Sequence, residues 1–95
     1  MMMAMSKKAV LAKLMKKRYP MLVQFDVTAG SWAAAYPDLP GCHSDGGSPT
    51  LAVTSAERAR HVWTEVSLDL GQSIPEPSDM VELMRVLKTH LKDRP

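Results

Sequence analysis

Residues 36–45, YPDLPGCHSD, run into GGSPT at residues 46–50, and the reading of this stretch decides the fold. Two prolines, the only cysteine, a histidine and two aspartates fall within ten residues. Those side chains would suit a reactive pocket, but they also suit a corner in a small sheet. Turn chemistry favours the corner. Pro37 has no N–H donor and so ends a strand ladder. Residues 39–42 fit a type II turn, in which Pro40 presets the second position and Gly41 accepts the positive φ of the third. A short third strand then starts at Cys42, whose side chain should face the core. Gly46 and Gly47 let the backbone swing into a helix.

The reactive alternative needs a histidine within hydrogen-bond reach of the thiol. Adjacent residues of a strand point to opposite faces, so His43 does not serve Cys42. Nothing in the sequence brings His61 or His90 to it. A free cysteine is also among the most frequently buried residues. One cysteine and three scattered histidines lack the spacing of a zinc site, so the expectation is no catalytic residue, no metal and no cofactor. Asp26, Asp38 and Asp45 fall near strand ends, where a two-metal nuclease would hold its ions. Turns favour aspartate for their own reasons, and a magnesium-dependent nuclease built on Asp26 stands as an alternative.

Upstream of the corner, residues 21–27 alternate at strand period, TAGS is a turn, and residues 32–36 form a second strand, so a β-hairpin is expected. Residues 6–18 read as a helix capped by Ser6, with Val10, Leu11, Leu14 and Met15 on one apolar stripe and lysines elsewhere. That stripe can dock on the body, bind a partner, or lie on a nucleic acid or membrane surface. Pro20 separates this helix from the sheet. The stacked Met1, Met2, Met3 and Met5 leave the start codon open. Downstream, Ala52, Ala56, Ala59, Trp63, Val66 and Leu70, joined by Val62, predict a long helix capped by Ser48 or Thr50 and stopped by Gly71. QSIPEPS is an extended linker. Residues 79–92 predict a last helix, capped by Ser78 or Asp79, with Met80, Leu83, Met84, Leu87 and Leu91 on its apolar face.

At 95 residues the chain fits one domain, small enough that oligomerisation often adds stability. An apolar content of 45% with 23% charged residues is ordinary for a globular protein. The lone cysteine excludes an intramolecular disulfide and points to a reducing cytoplasm. No apolar run approaches the roughly 18 residues of a membrane span, and the N-terminus lacks the apolar core of a signal peptide. A cytoplasmic protein with no membrane partner is expected. Residues 1–18 carry six basic side chains and no acid, whereas residues 19–95 carry a net charge of −4. This is a basic arm on an acidic body, suited to a basic protein partner rather than to direct phosphate contact by the body.

The corner hexapeptide P-D-L-P-G-C (Pro37, Asp38, Leu39, Pro40, Gly41, Cys42) is followed by S-D-G, T-L and a helix, then by I-P-E-P-S at residues 74–78. This pattern resembles the HicB antitoxin family over about residues 19–78. The resemblance implies a β-β-β-α core, a partial RNase H-like fold, that neutralises a HicA-type toxin, a small basic ribonuclease cleaving messenger RNA, by covering its active surface. It also implies repression of the operon through a C-terminal DNA-binding domain, but only seventeen residues follow Ser78, too few for such a module, so DNA binding is doubtful. Other departures are Ala52-Val53-Thr54 where relatives carry Glu-Glu-Ala, a longer glycine turn, the extra basic arm, and helical spacing in place of a fourth strand.

The resulting expectation is an α+β fold: a small antiparallel β-β-β sheet packed by one long helix, with a basic N-terminal helix and a C-terminal helix. Residues 1–18 would be an arm, 19–78 the core domain, and 79–95 a terminal helix. The function expected is that of a non-enzymatic antitoxin or antitoxin-derived binding protein, a homodimer or higher homo-oligomer formed through sheet edges or the last helix. Asp38, Asp45, Glu65 and Asp69 are its candidate toxin-binding acids. The alternatives are the nuclease and a nucleic-acid-binding protein that works through the arm.

Overall fold

The computed structural model describes residues 5–92, and side chains to residue 89. Met1, Met2 and Met3, and the side chains of His90 and Leu91, lie outside the described residues. The elements run α1 (Lys7–Met15), β1 (Leu22–Asp26), β2 (Ser31–Ala35), β3 (His43–Gly46), α2 (Pro49–Asp69) and α3 (Val81–Lys92). The three strands form one antiparallel sheet in the order β1-β2-β3. The architecture is therefore the expected α+β arrangement, with α2 laid across the sheet.

Local chemistry accounts for the sheet. The hairpin pairs Phe25 with Trp32 and Asp26 with Ser31, and its turn is closed by Asp26, whose Oδ1 accepts the Thr28 and Ala29 N–H groups. Cross-strand pairing sets the Phe25 and Trp32 rings edge to face, 5.5 Å apart. The corner forms the type II turn: the Cys42 N–H donates to Leu39 O at 2.9 Å, and Gly41 has φ +82°. The preceding turn, from Tyr36 to Leu39, closes with the Leu39 N–H on Tyr36 O. Cys42 is buried and His43 exposed, as strand alternation requires.

The core is small: Ala34, Tyr36, Leu39, Cys42, Ala52 and Ala56, with Tyr19, Met21, Trp32, Ala59 and Trp63 packed around it. Alanines on both β2 and α2 let helix and sheet approach closely. At Gly46 the approach is tightest, since a Cβ there would lie 2.4 Å from Ala52 N and 2.7 Å from Leu51 C.

Three expectations need correction. First, α2 does not bury Val62, Val66 and Leu70, which are 61%, 48% and 65% exposed; Arg60, Thr64 and Ser67 are buried instead. A helix of 21 residues is about 31 Å long, whereas a five-residue strand spans only about 17 Å. The second half of α2 therefore overruns the sheet and packs on α1, which turns the buried stripe toward different residues. Second, α1 ends at Met15 rather than Arg18, because the Lys16 and Lys17 N–H groups bond back three residues, to Lys13 O and Leu14 O, and tighten the last turn. Third, α3 starts at Val81 rather than residue 79, with Asp79 Oδ1 accepting the Val81 N–H.

Other caps fall where the sequence places them. Ser6 Oγ accepts the Ala9 N–H and Ser48 Oγ accepts the Leu51 N–H. The end of α2 closes in a Schellman arrangement, with Gly71 N–H on Leu68 O and Gln72 N–H on Ser67 O.

Helix α1 runs antiparallel to the second half of α2: Lys7 reaches Asp69 while the Leu14 carbonyl meets Arg60. Val10, Leu11, Leu14 and Met15 are all half-buried, so the stripe docks on the body. By contrast, among the described residues α3 packs on no other helix or strand, and its Leu83, Met84 and Leu87, with Met80 just before it, are 41–60% exposed. The long axis is 64 Å and the radius of gyration 16.8 Å, against roughly 12 Å for a compact chain of this length. Among the described residues, no helix is long and apolar enough to cross a membrane.

Candidate functional site

The corner is tied to the proline-rich linker by side chains forty residues apart. Asp38 Oδ2 accepts the Ser78 N–H and Asp38 Oδ1 accepts the Ser78 hydroxyl, both at 2.7 Å. The Tyr19 hydroxyl donates to Pro75 O at 2.6 Å, and Lys17 Nζ pairs with Glu76. From the other side, Trp63 Nε1 donates to Pro40 O at 2.8 Å and pins the corner to α2. The two sequence signatures, P-D-L-P-G-C and I-P-E-P-S, are thus one structural unit.

The Ser78 bonds, backbone first and hydroxyl second, hold the Asp38 carboxyl below its ordinary value of 3.8. A depressed carboxylate pKa stabilises the fold above its unfolded value, and that contribution is lost as pH falls through the lower folded value. Wild type should therefore lose thermal stability below pH 3.8 more steeply than Asp38→Asn, which has no such step. Melting temperatures followed by circular dichroism from pH 7 to pH 2 check this; parallel curves for the two proteins would exclude it.

The four candidate acids occupy separate places. Asp38 is engaged by Ser78. Glu65 and Asp69 lie one turn apart on α2 and both face Lys7, whose Nζ is 2.7 Å from Asp69 and 3.5 Å from Glu65. The Asp69 hydrogen bond, ahead of the other influences, raises the pKa of Lys7. Asp45 stands on β3, opposite Ala33, exposed and with no ion pair among the described residues. It belongs to the sheet face that α2 leaves open, together with Leu22, Gln24, Ala33, Ala35 and His43.

Cys42 and Asp26, the residues on which a reactive reading would rest, stand apart in the fold. Burial pushes the Cys42 thiol upward, with a smaller opposing pull from Arg60, so it stays protonated near neutrality. Asp26 is committed to its turn. Among the described residues, no group of three His, Cys, Asp or Glu could hold a metal ion.

The residue that the sequence reading missed is Arg60. It is 8% exposed and joins three parts of the fold. Its Nη2 donates to Leu14 O at 3.0 Å and to Lys17 O at 2.8 Å, and its guanidinium lies 4.8 Å from the Tyr19 ring and 5.7 Å from the Tyr36 ring. The signal was present in the spacing: residues 52, 56, 60 and 64 step by four, and an arginine in such a row is easily taken for solvent-facing.

A family model described as the HicB-like antitoxin of a bacterial toxin–antitoxin system matches residues 19–90. The chain belongs to the HicB-like antitoxin family. No curated protein and no solved structure matches it. The family match runs from the first core tyrosine past the linker and through most of α3. It leaves α1 outside, although α1 is docked against the HicB-like body. Membership in an antitoxin family implies a toxin as partner.

Proposed function

We propose that this HicB-like protein neutralises a HicA-type messenger-RNA-cleaving toxin by covering its active or RNA-binding surface, and that it catalyses no reaction itself. The family match carries this reading. Residues 19–78 serve as the binding body, residues 1–18 as a basic arm and residues 79–95 as a terminal helix. The acidic balance of residues 19–95 suits a basic toxin and would speed the encounter. Asp45 is the acid offered without rearrangement. Glu65 and Asp69 engage a toxin by exchanging Lys7 for a partner cation, an inexpensive exchange because exposed ion pairs contribute only about 0–1 kcal/mol. Asp38 would have to release Ser78, and its first role is in the corner. The exposed apolar side of α3 and the unpaired strand edges support homodimer formation.

Co-expression with a small basic toxin encoded beside this gene tests the reading: growth should be restored. Asp45→Lys should weaken toxin affinity about tenfold, measured by calorimetry, while the melting temperature stays unchanged. Failure to restore growth against the adjacent toxin would refute the antitoxin role, and undiminished affinity in Asp45→Lys would move the contact elsewhere.

A second reading, nucleic-acid contact through the arm, rests on Lys8, Lys13, Lys16 and Arg18, all exposed and without ion pairs among the described residues. Unchanged DNA and RNA affinity after removal of residues 1–18 would exclude it.

A further inference from the structure

The cleft between the C-terminal end of α1 and the middle of α2 shares Lys17 and Tyr19 with the linker contacts, but its other cations have no part in the corner or the antitoxin role. It encloses about 530 Å³, a volume typical of small-molecule sites. Lys16, Lys17, Arg18 and Arg60 line it, against the single carboxylate of Glu57. Lys17 is taken by Glu76, which leaves three cations facing one acid.

Arg60 makes this more than a charged surface. It is nine-tenths buried and forms no ion pair with a carboxylate among the described residues. Nη2 is fully used by two backbone carbonyls, and those bonds also offset the negative end of the α1 dipole that would otherwise repel an anion. Two tyrosine rings flank the guanidinium and hold it in place. The Nε–H is sealed from solvent with no acceptor among the described residues, and Arg60 lines the cleft with the rest of its side chain. A guanidinium without a carboxylate partner among the described residues, on a residue that lines a cleft rimmed by two further cations, suits an oxyanion.

We propose that this cleft binds the phosphate group of a phosphate monoester, with Arg60, Lys16 and Arg18 as its cationic contacts. A phosphate dianion matches the excess of positive charge better than a single carboxylate does, and its several oxygens can serve a guanidinium and an ammonium together. Met15, Met21 and Val53 form an apolar wall of the same cleft, which suits the organic part of a nucleotide. The site is independent of toxin recognition, so either can fail without the other.

The test is a titration of the full chain with inorganic phosphate, 5′-AMP and adenosine at constant ionic strength, followed by backbone amide NMR. Phosphate and 5′-AMP should shift the amides of residues 16–19 and 53–60, and adenosine should not. Lys16→Ala combined with Arg18→Ala changes only exposed side chains and should weaken phosphate binding about tenfold. Arg60→Gln should abolish it if that variant folds, and the double variant decides the matter if it does not. Tighter binding of 5′-AMP than of phosphate identifies a nucleotide as the source, and equal binding identifies a site that reads phosphate alone. Absent shifts, shifts centred on Lys8 and Lys13, equal binding of adenosine, or unchanged affinity in the double variant would each overturn the proposal.

Discussion

Leu39→Ala is expected to lower the unfolding free energy by about 3 kcal/mol. Leu39 is the largest fully buried side chain of the described residues, 1% exposed, and sits at the sharpest point of the corner. Its neighbours in the core are mostly small: Ala34, Ala52, Ala56 and Cys42. Alanine side chains cannot swing into a void, and their backbones belong to β2 and α2, so the cavity stays open. The type II turn at Pro40 and Gly41 should survive, which makes the loss one of packing rather than of chain direction. A domain of this size has about 5–15 kcal/mol in total, so urea midpoints should drop sharply. Leu39→Met, nearly equal in volume, should cost less than about 1.5 kcal/mol. A loss below 1 kcal/mol for Leu39→Ala would mean that the core does not depend on the corner.

Gly46→Ala should be as damaging for the opposite reason. The added Cβ meets backbone atoms, Ala52 N at 2.4 Å, Leu51 C at 2.7 Å and Ala52 Cα at 2.9 Å. No side chain can rotate away, so relief requires lifting the first turn of α2 off β3, which separates Ala52 from the core. A cost of about 2–4 kcal/mol is expected. Gly47→Ala is the internal control, because its Cβ would meet nothing within 4 Å. It should stay within about 0.5 kcal/mol of wild type, since a surface alanine also narrows the unfolded ensemble. Equal effects at the two glycines, read by urea unfolding, would show that α2 does not need this close approach.

These two positions also mark how much was legible beforehand. The turn at Leu39–Pro40–Gly41–Cys42, the hairpin and the Ser6 and Ser48 caps follow from rules that act over two to four residues, and each forms as read. Turn chemistry makes Gly46 a swing point, but its requirement is steric and comes from a helix that begins three residues later. Periodicity locates a stripe on α2 without saying what will cover it: Ala52, Ala56, Ala59 and Trp63 pack on the core, whereas Val62, Val66 and Leu70 do not. Once α1 covers the second half, Arg60, Thr64 and Ser67 go inside and Val62 and Val66 stay out.

The candidate acids show the same division. Charge counting distinguishes a basic arm from an acidic body, and it selects Glu65 and Asp69 as solvent-facing carboxylates. It carries no information that Lys7 of that arm lies against both, or that Asp38 spends both oxygens on Ser78.

The sequence by itself determined the elements, the corner and, through two short motifs, the HicB-like family. Turn propensity, capping and apolar period are local and survive in any context that permits the element. Tertiary structure alone decided that the two motifs are hydrogen-bonded to each other, that α1 neutralises part of the acidic surface, and that an arginine lies buried between two tyrosines. Those features are pairings between residues 24 to 62 positions apart, set by which surfaces the core brings together, and no local propensity encodes the pairing.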